Sequence, residues 1–293
     1  MSETIVLAGL VGVFLAVAVA LVGVLSILPA TAEKARGLWP TLISEVAIVV
    51  VALGFVVPGG PVTALGVTLL AARCGWEATK VLYRGAGEPI TPLTVATLAA
   101  FAALLAYSSG LTGAAAGFVA LVIGVAAVTY MSKPATYQDA AVLLVFPLTA
   151  LVAFAGVAAR PDGGAILLVA FLLVEVMDSA AVLGGKLFGR RPAFPRLSPR
   201  KTVEGLVVGL VAVTAVTAIL GFAVMGWSLV HTLLVAVVAP VATVAGDLAA
   251  SAIKRQVGVK DYPAIHPVQG GVLDIVDAWI VTAPALALVS LVA

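Results

Sequence analysis

The amino-acid sequence predicts an all-α polytopic membrane protein with about ten transmembrane helices. Of its 293 residues, 62% are hydrophobic and only 10% are charged, whereas soluble domains carry roughly 25% charged residues. The apolar residues form runs long enough for spanning helices, each of which needs ~20 of them. These runs lack the period-two alternation of membrane-spanning strands. Composition and run length therefore favour a bundle of helices in a membrane.

Ten segments meet this length requirement, separated by short polar or glycine- and proline-containing breaks. They are residues 4–29, 40–58, 61–82, 91–108, 111–130, 139–158, 164–183, 203–226, 228–253 and 270–292. We divide the chain into an N-terminal set of transmembrane helices, residues 1–163, and a C-terminal region, residues 164–293. The first is expected to bind lipid or act as a scaffold, and the second is expected to be catalytic.

The positions of lysine and arginine predict the orientation. If the ten segments alternate in direction, only Arg160 of the sixteen basic residues falls at the opposite end from all the others. By the positive-inside rule, the basic end faces the cytoplasm across a plasma or inner membrane, and both termini lie outside. The two most basic loops on that face, 184–202 and 254–269, are expected to border an active site between the C-terminal helices.

Carboxylates lie within otherwise apolar segments of the C-terminal region. A charged residue at the centre of a spanning helix costs ~2.5–3.5 kcal/mol on insertion scales, so such residues favour a functional role. Asp274 and Asp277 are three residues apart and share a helix face. Carboxylates beside basic loops, without a Cys or His cluster, suit Mg²⁺ and phosphate. Interhelical salt bridges explain any single acid well, but they explain the whole set less well than a functional site does. The set is Glu175, Asp178, Asp247, Asp274 and Asp277.

Ser198 and Pro199 predict a helix start inside the first basic loop, as N-cap and first helical residue. The free backbone N–H groups near Lys201 and Thr202 would then attract phosphate. An ordinary capped helix entering the membrane explains this feature equally well. The basic loop also suits simple anchoring to anionic lipid headgroups. No Walker-type glycine loop is present, which excludes a P-loop nucleotide site.

A motif with fixed spacing occupies the last basic loop and the helix that follows it. It reads Ser251-Ala-Ile-Lys-Arg-Gln-Val-Gly-Val-Lys-Asp261, then eight residues, then Gly270-Gly-Val-Leu-Asp274-Ile-Val-Asp277. This motif resembles the C-terminal signature of the phosphatidate cytidylyltransferases, or CDP-diacylglycerol synthases, with the spacing kept throughout. Shorter stretches upstream also resemble that family, so that the resemblance runs from about residue 175 to residue 285.

The resemblance implies an enzyme that transfers the cytidylyl group of CTP to phosphatidic acid, giving CDP-diacylglycerol and pyrophosphate in phospholipid biosynthesis. It implies Mg²⁺ as cofactor, as one ion or two, and it also implies roles for individual residues. The implied catalytic residues are Asp247, Lys254, Arg255, Lys260, Asp261 and Asp277. The implied nucleotide- and phosphate-binding residues are Ser198, Lys201, Thr202, Glu204, Gln269, Gly270 and Gly271. The implied metal ligands are Asp178, Asp247, Asp274 and Asp277.

Four positions depart from the family pattern. Gln269 replaces the usual His, and Ile275 replaces the usual Arg of the last motif. Ala250 stands where an acid is common, and Val182 stands where an aromatic residue is common. These departures bear on the choice of lipid substrate rather than on the reaction class.

Several alternatives therefore stay open. The same fold could act on another lipid phosphate, of isoprenoid or archaeol type, or serve as a CTP-dependent lipid kinase. In a different functional class, this protein would be a catalytically degenerate membrane scaffold or an ion-coupled transporter. A transporter predicts acids near the bilayer midplane and two repeated halves. The expected partners are CTP, phosphatidic acid or a related lipid phosphate, membrane lipids and a second copy of the chain, with no nucleic acid.

Overall fold

The computed structural model describes residues 3–28, 32–83, 92–131, 137–265 and 270–292, and most of them are helical. The elements are α1 (Glu3–Ile27), α2 (Ala32–Arg36), α3 (Trp39–Val56), α4 (Gly60–Leu82), α5 (Pro92–Met131), α6 (Tyr137–Leu143), α7 (Thr149–Ala158), α8 (Gly163–Phe188), β1 (Pro192–Phe194), β2 (Ser198–Thr202), α9 (Val203–Ile219), α10 (Leu229–Gln256), α11 (Val272–Val276) and α12 (Trp279–Val292). Two π-helical turns, Leu144–Leu148 and Leu220–Met225, precede α7 and follow α9.

These helices coincide with the ten predicted segments to within a few residues. The predicted boundary near residue 110 lies inside α5, where Gly110 adopts φ 57° and breaks the helix. Within the described residues, eight helical stretches are long and apolar enough to cross a membrane. They do not include α4, whose second half carries Arg73, Glu77 and Lys80. The prediction of an all-α polytopic membrane protein is confirmed, and the number of spans stays a prediction.

The outer surface of the bundle is apolar, as expected for a protein surrounded by lipid. Large hydrophobic side chains are exposed along α1, α3, α5 and α9, including Val17, Val50, Phe101 and Val211. In water a contiguous apolar surface of this kind would promote association, whereas hydrocarbon solvates it. The chain is therefore an integral membrane protein.

Helix α8 lies at the centre of the bundle and packs against α1, α9, α10 and α12. Its middle is buried on all sides, and Trp279 at the start of α12 fixes it in place. The indole ring of Trp279 makes edge contacts with Phe154 and Phe171, at centroid distances of 4.9 and 5.3 Å. Its Nε1 donates to the carbonyl of Leu167 at 2.8 Å. Because Trp279 follows Asp277 by two residues, this anchor also holds the C-terminal motif against the core.

Replacing Trp279 with Phe should destabilise the protein by about 1–3 kcal/mol, because the buried indole hydrogen bond to Leu167 and part of the ring packing are lost. The single cysteine, Cys74, is buried, so its reaction with a thiol-reactive fluorophore reports unfolding in detergent. We expect Trp279→Phe to lower the midpoint temperature of this reaction. Phe101, which is exposed, provides the control, since Phe101→Leu should leave the midpoint unchanged. Equal midpoints for wild type and Trp279→Phe would contradict the anchoring role.

One predicted helix boundary is wrong. Ser198 and Pro199 do not begin a helix, because residues 198–202 pair as β2 with β1 in a two-stranded antiparallel hairpin, Phe194 opposite Ser198. Helix α9 begins instead at Val203, with Thr202 as its N-cap. The Thr202 hydroxyl accepts from the Gly205 N–H at 3.1 Å. The hairpin therefore projects Lys201 from an extended strand.

Candidate active site

Lys201 lies between two carboxylates, Asp178 and Asp247, that are 69 residues apart in the sequence. Its Nζ lies 3.5 Å from Oδ1 of Asp178 on α8 and 3.2 Å from Oδ2 of Asp247 on α10. The basic loop 184–202 can reach both helices because the hairpin folds it back over their ends. One basic residue from a loop and two acids from different helices thus meet at one point.

The charge state of Lys201 follows from these neighbours. Burial disfavours the ammonium form, but the negative charges of Asp178 and Asp247 outweigh it and raise the pKa of Lys201 above its ordinary value. Asp277 adds to this effect from a greater distance. Lys201 therefore stays positive throughout the physiological pH range and offers a fixed cation to an incoming phosphate.

Asp277 completes the carboxylate cluster, which we define as Asp178, Asp247 and Asp277. It is buried, and its Oδ1 accepts from the N–H of Ala278 at 2.7 Å. It lies within electrostatic range of Asp247, Asp178 and Lys254. Gly246 permits this convergence, because a Cβ at that position would collide with the carbonyl of Asp277. Three of the four predicted metal ligands are therefore close together in the fold.

A second ion pair lies beside the carboxylate cluster. Lys254 is buried, and its Nζ donates to Oδ1 of Asp274 at 2.6 Å. Oδ2 of Asp274 accepts from the N–H groups of Tyr262 and Gly271, at 2.8 and 2.9 Å. Both oxygens of Asp274 are thus engaged, one with Lys254 and the other with the loop before α11. Burial, together with the charges of Asp274 and Asp277, raises the pKa of Tyr262, so its ring is neutral beneath Lys254.

Glu77 on α4 is a member of the site that the sequence analysis missed. It is completely buried, and its carboxylate accepts from the N–H groups of Val272 and Leu273 at 2.9 and 2.8 Å. These are the first residues of α11, whose unpaired N–H groups need acceptors. Gly271 leaves room for the carboxylate, since a Cβ there would come within 2.6 Å of Glu77 Oε2. An acid within a predicted membrane segment, four residues after an arginine, was the available signal.

Arg73 supports Glu77 from one turn earlier on α4. Its Nε donates to Glu77 Oε1 at 2.7 Å, and one terminal nitrogen donates to the carbonyl of Pro263 at 3.2 Å. The guanidinium also lies over the ring of Trp76, 4.7 Å from its centroid. Helix α4 of the N-terminal region therefore holds both the loop before α11 and the first turn of α11.

Other predicted site residues lie at the surface around this centre. Arg255 donates to the carbonyls of Leu197 and Val259, which ties the hairpin to the end of α10. Lys260 and Asp261 are exposed and form a 3.6 Å ion pair. Glu204 accepts from the N–H groups of Arg190 and Arg191 and so closes the base of the hairpin. Ser198 lies at the far end of β2, and Gly270, with φ 78°, precedes Gly271 in the loop before α11.

The four departures from the family pattern have different surroundings. Ala250 is buried, and its carbonyl accepts from the Tyr262 hydroxyl at 3.4 Å. Val182 is exposed on α8, whereas Ile275 faces an apolar cleft on the side of α11 away from Asp274. Gln269 lies outside the described residues.

The carboxylate cluster fits a divalent cation that is shared with substrate phosphates. Oδ2 of Asp247 is buried and, although it lies close to Lys201, it accepts no hydrogen bond from the residues that the structure describes. No group of three His, Cys, Asp or Glu side chains among those residues is arranged to hold a metal alone. Mg²⁺ commonly takes only one or two carboxylates and completes its octahedron with phosphate and water. A buried carboxylate oxygen that faces a lysine ammonium at 3.2 Å matches that donor set.

Curated relatives occur in bacteria and plants. The chain is 40% identical over 124 residues to the uncharacterized protein YnbB of Escherichia coli strain K12, covering 42% of each chain. It is 42% identical over 118 residues to phosphatidate cytidylyltransferase 5, chloroplastic, of Arabidopsis thaliana, covering 40% of this chain and 29% of the relative. It is 35% identical over 155 residues to the phosphatidate cytidylyltransferase of Helicobacter pylori strain J99, covering 53% and 57%. The matched region spans less than two thirds of each relative.

A family profile gives the broader match. The profile of the cytidylyltransferase family matches residues 34–292, which is most of the chain. The matched range includes α4, α8, α10 and α11, the helices that build the site. The chain belongs to the cytidylyltransferase family.

Proposed function

We propose that this protein transfers the cytidylyl group of CTP to a lipid phosphate, with phosphatidic acid as the leading substrate. The observation that carries the proposal is the meeting of Lys201 with Asp178, Asp247 and Asp277, next to the buried Lys254. Such a site can bind a polyphosphate and a divalent cation at the end of a helix bundle. The names of the curated relatives support the choice of CTP and phosphatidate.

The reaction needs charge neutralisation more than proton transfer. An oxygen of the lipid phosphate, already anionic near neutral pH, attacks the α-phosphorus of CTP. A new P–O bond forms to the lipid, the bond from the α-phosphorus to the bridging oxygen breaks, and pyrophosphate leaves. Lys201 and Lys254 lower the repulsion between the two anions and align the attacking and leaving oxygens.

We assign Mg²⁺ binding to Asp247 and Asp277, with Asp178 as an additional carboxylate. When bound, the ion neutralises phosphate charge and orients the leaving pyrophosphate. Asp274 has a different proposed task, because its contacts with Lys254, Tyr262 and Gly271 hold the loop that carries the motif. Arg255, Lys260 and Asp261 are placed to meet the nucleotide from the water side.

The orientation follows from the same charges. The basic loops that border the site would face the cytoplasm of a plasma or inner membrane, with the termini on the other side. CTP then arrives from water, and the acyl chains of the lipid stay in the bilayer. The loops at this boundary can be irregular because they border a water-filled site.

The test uses purified protein in lipid nanodiscs with Mg²⁺, a panel of lipid phosphates and lipid alcohols, and CTP labelled in either the α- or the γ-phosphate. We expect the α-label to enter a lipid product and the γ-label to leave as pyrophosphate. Chelation of the divalent cation should abolish the product. Transfer of the γ-label to diacylglycerol or a polyprenol would identify a lipid kinase instead. The absence of any labelled lipid, under conditions where a relative is active, would exclude both.

A further inference from the structure

An apolar cleft of about 540 Å³ lies between α3, α4 and the start of α12, within the ~300–1,000 Å³ typical of ligand sites. One wall comes from α3 and another from α4, and these helices run antiparallel because only a short turn joins them. At that turn the Thr63 hydroxyl donates to the carbonyl of Phe55 at 2.6 Å. The third wall consists of Val272, Ile275 and Trp279.

The cleft has the length and direction of one hydrocarbon chain. Along α3 it extends from Ile43 to Val56, about 20 Å at 1.5 Å per residue. One leaflet of a bilayer has a hydrocarbon depth of ~15 Å, half of the ~30 Å core. The lining at the turn end, around Phe55 and Gly66, is apolar except for Thr63, whose hydroxyl is bonded to the Phe55 carbonyl. The polar lining residues Ser44 and Arg73 lie at the opposite end.

The polar end of the cleft adjoins the candidate active site on two sides. On one side, Arg73 holds Glu77, which caps α11. On the other side, Glu45 follows Ser44 on α3 and lies close to Glu175 on α8. Glu175 is one helical turn from Asp178, which contacts Lys201. A lipid whose chain fills the cleft therefore has its headgroup at the end where the site lies.

Position 275 connects the cleft to the C-terminal motif. Helix α11 turns Asp274 towards Lys254 and turns Ile275, one residue later, into the cleft. An arginine here would put a positive charge into the apolar wall, whereas isoleucine extends it. The same short helix thus contributes one side to the charged site and the other side to the cleft.

Resting on the proposed function, we propose that the cleft holds one acyl chain of the lipid phosphate substrate while its phosphate faces Lys201 and Lys254. The bilayer already solvates an acyl chain, so the cleft selects by shape and packing rather than by hydrophobic transfer. The walls formed by α3 and α4 would then select the substrate by the length and branching of its acyl chain. The alternative occupant is a second lipid that takes no part in the reaction, and the experiments distinguish it from the substrate.

The first experiment maps binding without turnover. Protein in nanodiscs is irradiated with phosphatidate that carries a photoreactive diazirine near the end of one acyl chain, without CTP. We expect labelled peptides from α3 and α4 around Phe55 and Gly66, at the turn end of the cleft, and we expect unlabelled phosphatidate to compete while phosphatidylcholine does not. Equal competition by phosphatidylcholine would show ordinary bilayer lipid in the cleft and overturn the proposal, as would labelling elsewhere.

The second experiment fills the cleft. Ala52 lines it, whereas Val50 on the same helix is exposed outside it. Ala52→Trp should raise the KM for long-chain phosphatidate by about tenfold, the scale at which pockets discriminate by size. It should leave the KM for CTP and turnover of dioctanoyl phosphatidate within about twofold, and Val50→Trp should change none of these values.

The two proposals fail in different ways. An inactive protein that still shows phosphatidate-specific labelling of the cleft would contradict the proposed reaction and keep the lipid site. An active protein in which Ala52→Trp and Val50→Trp behave alike would keep the reaction and reject the site.

Discussion

Replacing Asp277 with Asn is expected to lower the rate of CDP-lipid formation by at least about 100-fold, the usual scale for loss of a preorganised charge at a reacting group. The introduced asparagine is the same size as aspartate, and its amide oxygen can still accept from the N–H of Ala278. The substitution therefore removes the charge that faces Lys254 and Asp247 and leaves the shape. The measurement is incorporation of α-labelled CTP into lipid at saturating Mg²⁺.

A matched acid-to-amide control lies at the opposite end of the bundle. Asp162 accepts two hydrogen bonds from Arg160, each 2.9 Å long, and these lower the pKa of Asp162. Asp162→Asn should keep activity within about twofold, because surface ion pairs contribute only ~0–1 kcal/mol to stability. The midpoint of Cys74 labelling should be the same for Asp277→Asn and wild type. Activity above one third of wild type in Asp277→Asn would reject its role with the metal and phosphates.

Replacing Glu77 with Ala is expected to destabilise the protein by about 2–6 kcal/mol, because two buried backbone N–H groups lose their acceptor at ~1–3 kcal/mol each. The substitution leaves the N–H groups of Val272 and Leu273 without acceptors and leaves the Arg73 guanidinium without its carboxylate. We expect little folded protein, measured as the yield of monodisperse material in detergent. Arg73→Ala keeps both backbone hydrogen bonds to the buried carboxylate but removes its charged partner, and it should be milder, with a loss of about 1.5–3 kcal/mol.

Glu77→Gln separates positioning from stability, because it keeps an acceptor oxygen in a side chain of the same size. It should fold and show a lower kcat with a nearly unchanged KM for CTP, since α11 is misplaced while the basic loops remain. Glu77→Asp should restore part of the rate. If Glu77→Ala and Arg73→Ala reduced the folded yield equally, the cap on α11 would be unimportant and the ion pair alone would matter.

The sequence was sufficient for the features that depend on local pattern. Apolar runs of the right length predicted the helices, because lipid requires every backbone group to be satisfied within its own segment. The break at residue 110 followed from glycine. The spacing of Asp274 and Asp277 predicted a shared helix, but local pattern could not show that Asp274 holds a loop while Asp277 joins the carboxylate cluster.

The wrong boundary at Ser198 has a related cause. Ser-Pro is a common helix start, yet the same residues pair with β1, and a strand partner outweighs a local capping preference. Glu77 is a clearer case, because its hydrogen-bond partners lie 195 and 196 residues away. Helical periodicity extends over one or two turns and carries no information about such contacts.

The sequence by itself determined the membrane architecture, the basic loops and the motif, because hydropathy, charge and spacing are properties of short segments. Only the tertiary structure decided which charges meet. It brought Lys201 to Asp178 and Asp247, placed Glu77 under α11, and turned Ile275 into an apolar cleft. Each of these contacts joins elements that are separated in the chain, and the packing of those elements, rather than sequence spacing, sets the distance between them.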